Sequence, residues 1–235
     1  MCVCVCVCVC VCVCVCVCVC VCVCVACVSL TYVLYNSNFR CVALRGTDVS
    51  DTTWNNAFMQ NMLWVSVVGI PRALSHASLQ RASLMGIDFS GADMNSAELC
   101  HANLKGCKLV NTILSHGDLS HADITSSVLI SAKLISANLE SSDLSNTNMT
   151  CCNLSSARMC RSNLTNCNLQ SANMCSSDMT STVLDKTSFV SANLKKARLS
   201  SVCLARLNLS RADLGMLSLL LFPSSFYCIN LPFPN

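Results

Sequence analysis

From Leu74 to Leu219 every fifth residue is large and apolar, thirty positions in a row without an insertion. They comprise 22 Leu, five Met (Met94, Met149, Met159, Met174 and Met179), Phe89, Phe189 and Ile124. No single regular element buries such a series. In an α-helix five residues advance about 500°, so the apolar positions would spiral around every face. In a continuous strand an odd period alternates sides, and half of the leucines would face water. The chain must therefore turn once per unit.

The rest of the unit says how. Two residues before each large position, 25 of the 30 sites carry Ala, Ser, Thr, Cys or Gly, and 13 of those are Ala, as at Ala92, Ala102, Ala122 and Ala192. Between the small and the large residue lies Asp or Asn in 16 of 30 cases. Small, Asp/Asn and large together make one short extended side, which sends the small and large residues inward and the Asp/Asn outward. The remaining two residues, rich in Ser, Thr, Asn and Gly, form a corner. Four such sides close a coil whose layers mix four large with four small side chains, a filling that suits a narrow core. Coils stack at about 4.8 Å. One coil has no core of its own, so only the array is stable. The spacing by itself selects neither four sides over three nor a hand.

Units such as ADMNS from Ala92, ANLKG from Ala102, ADITS from Ala122 and ANLKK from Ala192 resemble those of the pentapeptide-repeat family. The resemblance implies an all-β fold, a right-handed quadrilateral parallel β-helix of about seven to eight coils. Departures are Val202 and Leu207 in the small column, and Ile113 and Val128 in the outward one. On this reading residues 72–219 are the β-helix. Residues 36–71 are degenerate repeats or an N-terminal cap, because Phe39, Leu44, Val49, Trp54, Met59 and Trp64 hold the register while 61–71 fits it less well. Residues 220–235, rich in Leu, Phe and Pro, are a C-terminal cap or tail, or the contact of a homodimer, since an open end exposes core and strand edges.

Residues 1–35 stand apart. Twelve of the 23 cysteines occupy the even positions from Cys2 to Cys24 in strict alternation with valine, as a translated simple TG repeat would give. The tract is excluded from the fold. If translated, it is long and apolar enough to associate with membrane. The other 11 cysteines suggest no disulfide ladder: between Cys100 and Cys203 none has a cysteine directly above or below it, one full coil away. Cys107, Cys152 and Cys167 fall in the inward small column, where cysteine acts as a larger alanine. A reducing, cytoplasmic compartment is expected, with membrane association as the alternative.

Candidate sites are few. His101 and His121 lie one coil apart and should stack, with His116 one side earlier. Nothing completes a metal site around them, so they are taken as solvated corner residues, and no cofactor or metal is expected. The sequons at Asn148, Asn153, Asn163 and Asn208 follow from the repeat itself. No phosphate loop, zinc-protease helix or ordered triad is visible, and the surface so described offers no cleft for catalysis. The chain is read as non-catalytic.

Charge supplies the remaining clue. Residues 72–219 carry 13 basic and 10 acidic side chains. Asp88, Asp93, Glu98, Asp118 and Asp123 lie in early coils, while Lys186, Lys195, Lys196, Arg198, Arg206 and Arg211 crowd the late ones, a basic end suited to an acidic partner. Bacterial members of the family that mimic duplex DNA and protect gyrase need a negative rod, which this region is not. Nucleic acid is not the expected partner either. Other members join the repeat to a BTB domain in ubiquitin-ligase adaptors, and here only the substrate-binding part of that arrangement would be present. The expectation is a scaffold for protein–protein interaction; the rival is a membrane-associated structural protein anchored by the apolar tract.

Overall fold

The computed structural model describes residues 38–40, 43–45, 49, 52–65, 67, 69, 71–204 and 207–217. The Cys-Val tract, Arg206 and the tail beyond Leu217 lie outside them. Within them the chain forms a four-sided coil, and outward residues make parallel bridges to their counterparts four units on, as Asp93 does to Ile113, with one exception on the third face. The first face runs Ala73, Asp93, Ile113, Lys133, Asn153, Asn173, Asn193, Asp213; the second carries Ser78, Glu98, Asp118, Asn138, Arg158, Asp178, Arg198. Ser83, Asn103, Asp123, Asp143, Asn163 and Val183 mark the third face, and Asp88, Lys108, Val128, Asn148, Asn168, Ser188 and Asn208 the fourth. Two three-residue strands, β1 (Ala43–Arg45) and β2 (Leu63–Val65), pair in parallel at the same offset.

One unit shows how the backbone is satisfied. Leu134 N–H donates to Asn153 C=O of the next coil at 2.7 Å and Ser136 N–H to Ser155 C=O at 2.9 Å. Ala137 N–H closes the corner on Leu134 C=O at 3.1 Å, and Asn138 N–H reaches back to Gly117 C=O at 2.9 Å. Four of five amides are thereby used by the coil itself. The third residue of every corner from His76 to Ser201 has a positive φ, between 54° and 74°. These are type II turns, which need a left-handed residue at that place. Only Gly86, Gly91 and Gly106 meet the need without strain.

The large column from Leu74 to Leu199 is almost wholly buried, with Leu104, Ile124 and Leu144 at 0% exposure. Polar residues in the small column are buried too, and each spends its proton on a corner carbonyl. Ser127 donates to Leu104 C=O at 2.8 Å, Thr112 to Phe89 C=O at 2.8 Å and Thr187 to Leu164 C=O at 2.7 Å. This removes the cost of burying a hydroxyl.

Near the N-terminal end the coils are aromatic. Phe39, Trp54, Trp64 and Phe89 form a chain of ring contacts with centroids 4.8, 5.9 and 6.0 Å apart. Met62 and Trp64 remain buried, so the coil continues through β2. The register lapses just after it for two reasons. Gly69 occupies a large-column position between Val49 and Phe89 and fills nothing, and Pro71 stands where a corner needs positive φ, which its ring forbids. A hollow of about 410 Å³ results, lined by Trp64, Val67, Gly69, Met85, Gly86, Ile87 and Asp88.

At the other end the third face loses a rung. Val183 makes its bridge to Asn163 below but none to Cys203 above, and Val183 is 52% exposed. The gap falls beside Val202 and Leu207, the oversized residues of the small column.

Candidate functional site

With the core closed, anything the chain recognises must meet its outward residues and corners. The outward Asp and Asn side chains are fixed by the backbone. Each Oδ1 accepts the amide two residues ahead, the one N–H of the unit that the coil leaves over. Asp93 takes Asn95 N–H at 3.0 Å, Asp123 takes Thr125 N–H at 3.0 Å and Asn153 takes Ser155 N–H at 3.1 Å. The same bond recurs from Asp88 to Ser90 and up to Asp213 and Gly215. Sequence reasoning assigned these residues only an outward direction. The usable signal was that the column holds Asp and Asn and scarcely any Glu or Gln: only the short side chain reaches its own i+2 amide.

Side chains also link coil to coil. Asn173 Nδ2 donates to Asn153 Oδ1 at 3.3 Å and Asn193 Nδ2 to Asn173 Oδ1 at 3.1 Å, a ladder up the first face. On the second face Ser78 Oγ donates to Glu98 at 2.7 Å, Arg158 pairs with Glu140 at 3.0 Å and Arg198 with Asp178 at 3.0 Å. Arg161 joins the same Glu140. Partial burial pushes the Asp178 carboxyl up, but the Thr180 hydroxyl and amide and the Arg198 cation together hold it below the usual carboxylate range.

The six cations of the expected basic end are placed apart. Lys195 and Lys196 share the corner between the first and second faces, Arg198 projects from the second, Lys186 lies on the corner between the third and fourth, and Arg211 on that between the fourth and first. Arg206 lies outside the described residues. Lys195 is committed to Asp213 at 2.9 Å and Arg198 to Asp178. Lys186, Lys196 and Arg211 are exposed, hold left-handed corner positions and make no ion pair among the described residues. They ring the rod rather than form one lateral patch.

His101 and His121 stack as their spacing requires, with ring centroids 4.8 Å apart and planes 12° from parallel. All four histidines, His76 and His116 included, occupy left-handed corner sites, a backbone region where His is enriched. Among the described residues no three His, Cys, Asp or Glu gather as metal ligands. The inward thiols of Cys107, Cys152 and Cys167 are free and buried, while Cys151 and Cys203 are exposed. Burial raises Cys107 and Cys167 to about 11 and Cys152 to about 12. In the sequons, Asn163 is fully engaged: it accepts from the Thr165 amide and hydroxyl, at 3.1 and 2.6 Å, and donates to Asp143 at 3.2 Å. No helix among the described residues is long and apolar enough to cross a membrane.

Three comparisons with known proteins bear on this arrangement. The family model for pentapeptide repeats matches in eight copies within residues 73–204, more than half of the chain. No curated protein sequence matches. Among solved structures, HetL, a pentapeptide repeat protein involved in heterocyst differentiation regulation in the cyanobacterium Nostoc sp. strain PCC 7120, is 27% identical, with 80% of this chain and 86% of that one covered and a TM-score of 0.35. A pentapeptide repeat protein from the Arabidopsis thaliana thylakoid lumen is 25% identical over 49% of this chain and 66% of its own, with a TM-score of 0.29. A trypsin-treated form of QnrB1, a plasmid-mediated fluoroquinolone resistance protein, is 18% identical over 78% and 93%, with a TM-score of 0.42. On the eight matched repeats, the chain belongs to the pentapeptide-repeat family and has its right-handed quadrilateral β-helix.

Proposed function

We propose that the chain is a non-catalytic scaffold that binds another protein through its flat faces and the cationic rim of its late coils. The observation that carries this reading is the fixed surface: outward Asp and Asn are held by backbone amides and by their neighbours a coil away. A surface ordered before binding loses little side-chain entropy on contact. Among the described residues, the hollow beside Trp64 is lined by one carboxylate, Asp88, already occupied by Ser90 N–H and by Lys108 at 3.7 Å, and by no nucleophile–base pair. Lys186, Lys196 and Arg211, on three corners, favour an acidic partner that meets the rod near its C-terminal end rather than along one side. The net +3 charge of the chain argues against imitation of duplex DNA.

The test is capture with the whole chain and with a Lys186→Glu, Lys196→Glu, Arg211→Glu variant in parallel. A partner retained by the first and lost by the second, with more retained as salt is lowered, supports the reading. Equal retention by both places the contact elsewhere on the faces. Capture of nucleic acid instead of protein by the wild-type chain overturns the reading.

A further inference from the structure

Below Asp88 the fourth face carries backbone groups that the coil does not use. Higher on that face Phe89 N–H donates to Lys108 C=O at 2.7 Å, and Lys108 N–H to Ile87 C=O at 2.9 Å. The same step one coil lower would join Asp88 N–H to Val67 C=O and Gly69 N–H to Asp88 C=O. Among the described residues neither bond is made. Gly69 takes a left-handed φ of 72°, so the chain is not extended there. Ser90 C=O also lacks its amide among the described residues, because Pro71 stands where the donor belongs. One donor and two acceptors thus line one edge, and they point down over the hollow of about 410 Å³. Its floor and walls are Trp64, Val67, Met85 and Ile87. Ile87 belongs to the inward small column and is still only half-buried. Leu63, next to Trp64 in the chain, is 49% exposed, and Met85 is 62% exposed.

We infer that this edge takes up a short extended segment of another protein as a parallel strand, with apolar, basic and apolar residues in succession. Main-chain N–H and C=O groups on one edge are complementary to another main chain, and apolar pockets beside them read alternate side chains. The parallel sense is that of every other rung of the rod. The guest residues before and after the one opposite Asp88 face inward, against Trp64, Val67 and Ile87. One of them fills the large-column site that Gly69 leaves without a side chain. The middle residue faces outward, directly opposite Asp88, the one charged residue lining the hollow. A basic side chain there makes a favourable cross-strand pair. Lys108 leaves room for it, since 3.7 Å is longer than a charge-assisted hydrogen bond. The slot is about one side long. The coil is closed before it, where Trp64 N–H reaches Ser83 C=O at 3.2 Å, and after it, where Asp93 N–H reaches Arg72 C=O at 2.7 Å. It lies on the early coils, apart from Lys186, Lys196 and Arg211, and stands or falls without the cationic rim proposed above.

Residue-resolved hydrogen exchange of the full chain in reducing buffer, with and without the blocked peptide acetyl-Ser-Val-Lys-Leu-Ser-amide, tests this docking. In the free chain the Asp88 amide should exchange freely while those of Asp93 and Lys108 are protected. Peptide at about 5 mM should slow Asp88 by about fivefold or more and leave coils 124–174 unchanged. N-methylation of the peptide's leucine removes the proton meant for Asp88 C=O and should abolish the effect. Asp88→Asn keeps the acceptor for Ser90 N–H, removes the charge, and should weaken binding by about threefold. An Asp88 amide already protected in the free chain assigns the edge to the chain itself or to a second copy and overturns the inference. So does a peptide that leaves Asp88 exchange unchanged, or one whose N-methylated form protects Asp88 equally well.

Discussion

Asn138 and Asp118, one coil apart, share one oxygen. Asp118 Oδ1 accepts the Ser120 amide at 3.1 Å and the Asn138 carboxamide, one coil above, at 2.9 Å. An outward Asp or Asn therefore works in two directions: it closes its own corner and ties its coil to the next. Asn163 does this most fully, and Asn163→Ala strands the Thr165 amide and loses the bond to Asp143. A loss of about 1–2 kcal/mol is expected. Equilibrium denaturation measures it, with Asn163→Asp as the comparison that keeps the corner acceptor but replaces the donation by a second carboxylate against Asp143.

The converse can be built. Val128 occupies the outward column where most units carry Asp or Asn, and no Oδ1 serves the Ile130 amide two residues on. Val128→Asn supplies that acceptor and stands directly below Asn148 on the fourth face. It should raise stability by about 0.5 kcal/mol. A lowered denaturation midpoint would show instead that the half-buried valine contributes more by packing than the corner gains from a cap.

The coil was legible because its large residues never miss a position. A period of five forces a turn at every unit, the family resemblance supplied the four sides, and Leu104, Ile124 and Leu144 do align as a buried column. Two features were not legible. The left-handed corners carry Ser more often than any other residue, with Asn, Gly and His but also Arg, Lys and Cys among them, so residue type gave only a partial warning of the geometry. The stacked closure imposes it on whatever side chain is present. Lys186, Lys196 and Arg211 lie within 26 residues of sequence yet leave the rod from different corners, since a step of two units crosses half a coil. Sequence proximity is a poor guide to surface patches in a fold that turns at every unit.

Corners carry a cost that substitution can expose. Ser136 is exposed, has φ 55°, and donates its amide upward to Ser155. Left-handed backbone strains a residue with a Cβ by about 1 kcal/mol and a β-branched one by more. Ser136→Gly relieves that strain while loosening the unfolded chain, so the net change should be between zero and about 1 kcal/mol of added stability. Ser136→Val should cost about 2 kcal/mol. Thermal unfolding of the pair gives the sign directly: if valine is tolerated as well as glycine, the corner does not enforce the left-handed state in solution.

The buried thiols make stability fall in alkali. An unfolded thiol ionises near 9, whereas burial in the inward column holds Cys107 and Cys167 to about 11 and Cys152 to about 12. Below pH 9 both states keep these protons and the thiols cause no pH dependence. Above it the unfolded chain releases protons that the folded chain retains, so ΔG of unfolding declines by about 1.4 kcal/mol per pH unit for each thiol until the folded value is reached. Cys107→Ala, Cys152→Ala and Cys167→Ala together should flatten the decline between pH 9 and 11 relative to wild type. Other groups titrate in the same range in both chains, so the difference between the two curves isolates the thiols. Alkylation at pH 8 gives an independent check: Cys151 and Cys203 should react in the folded chain, and the three inward thiols only after denaturant is added. Labelling of Cys152 at the rate of Cys151 would mean that the column opens locally, and the alkaline decline would then be correspondingly shallow.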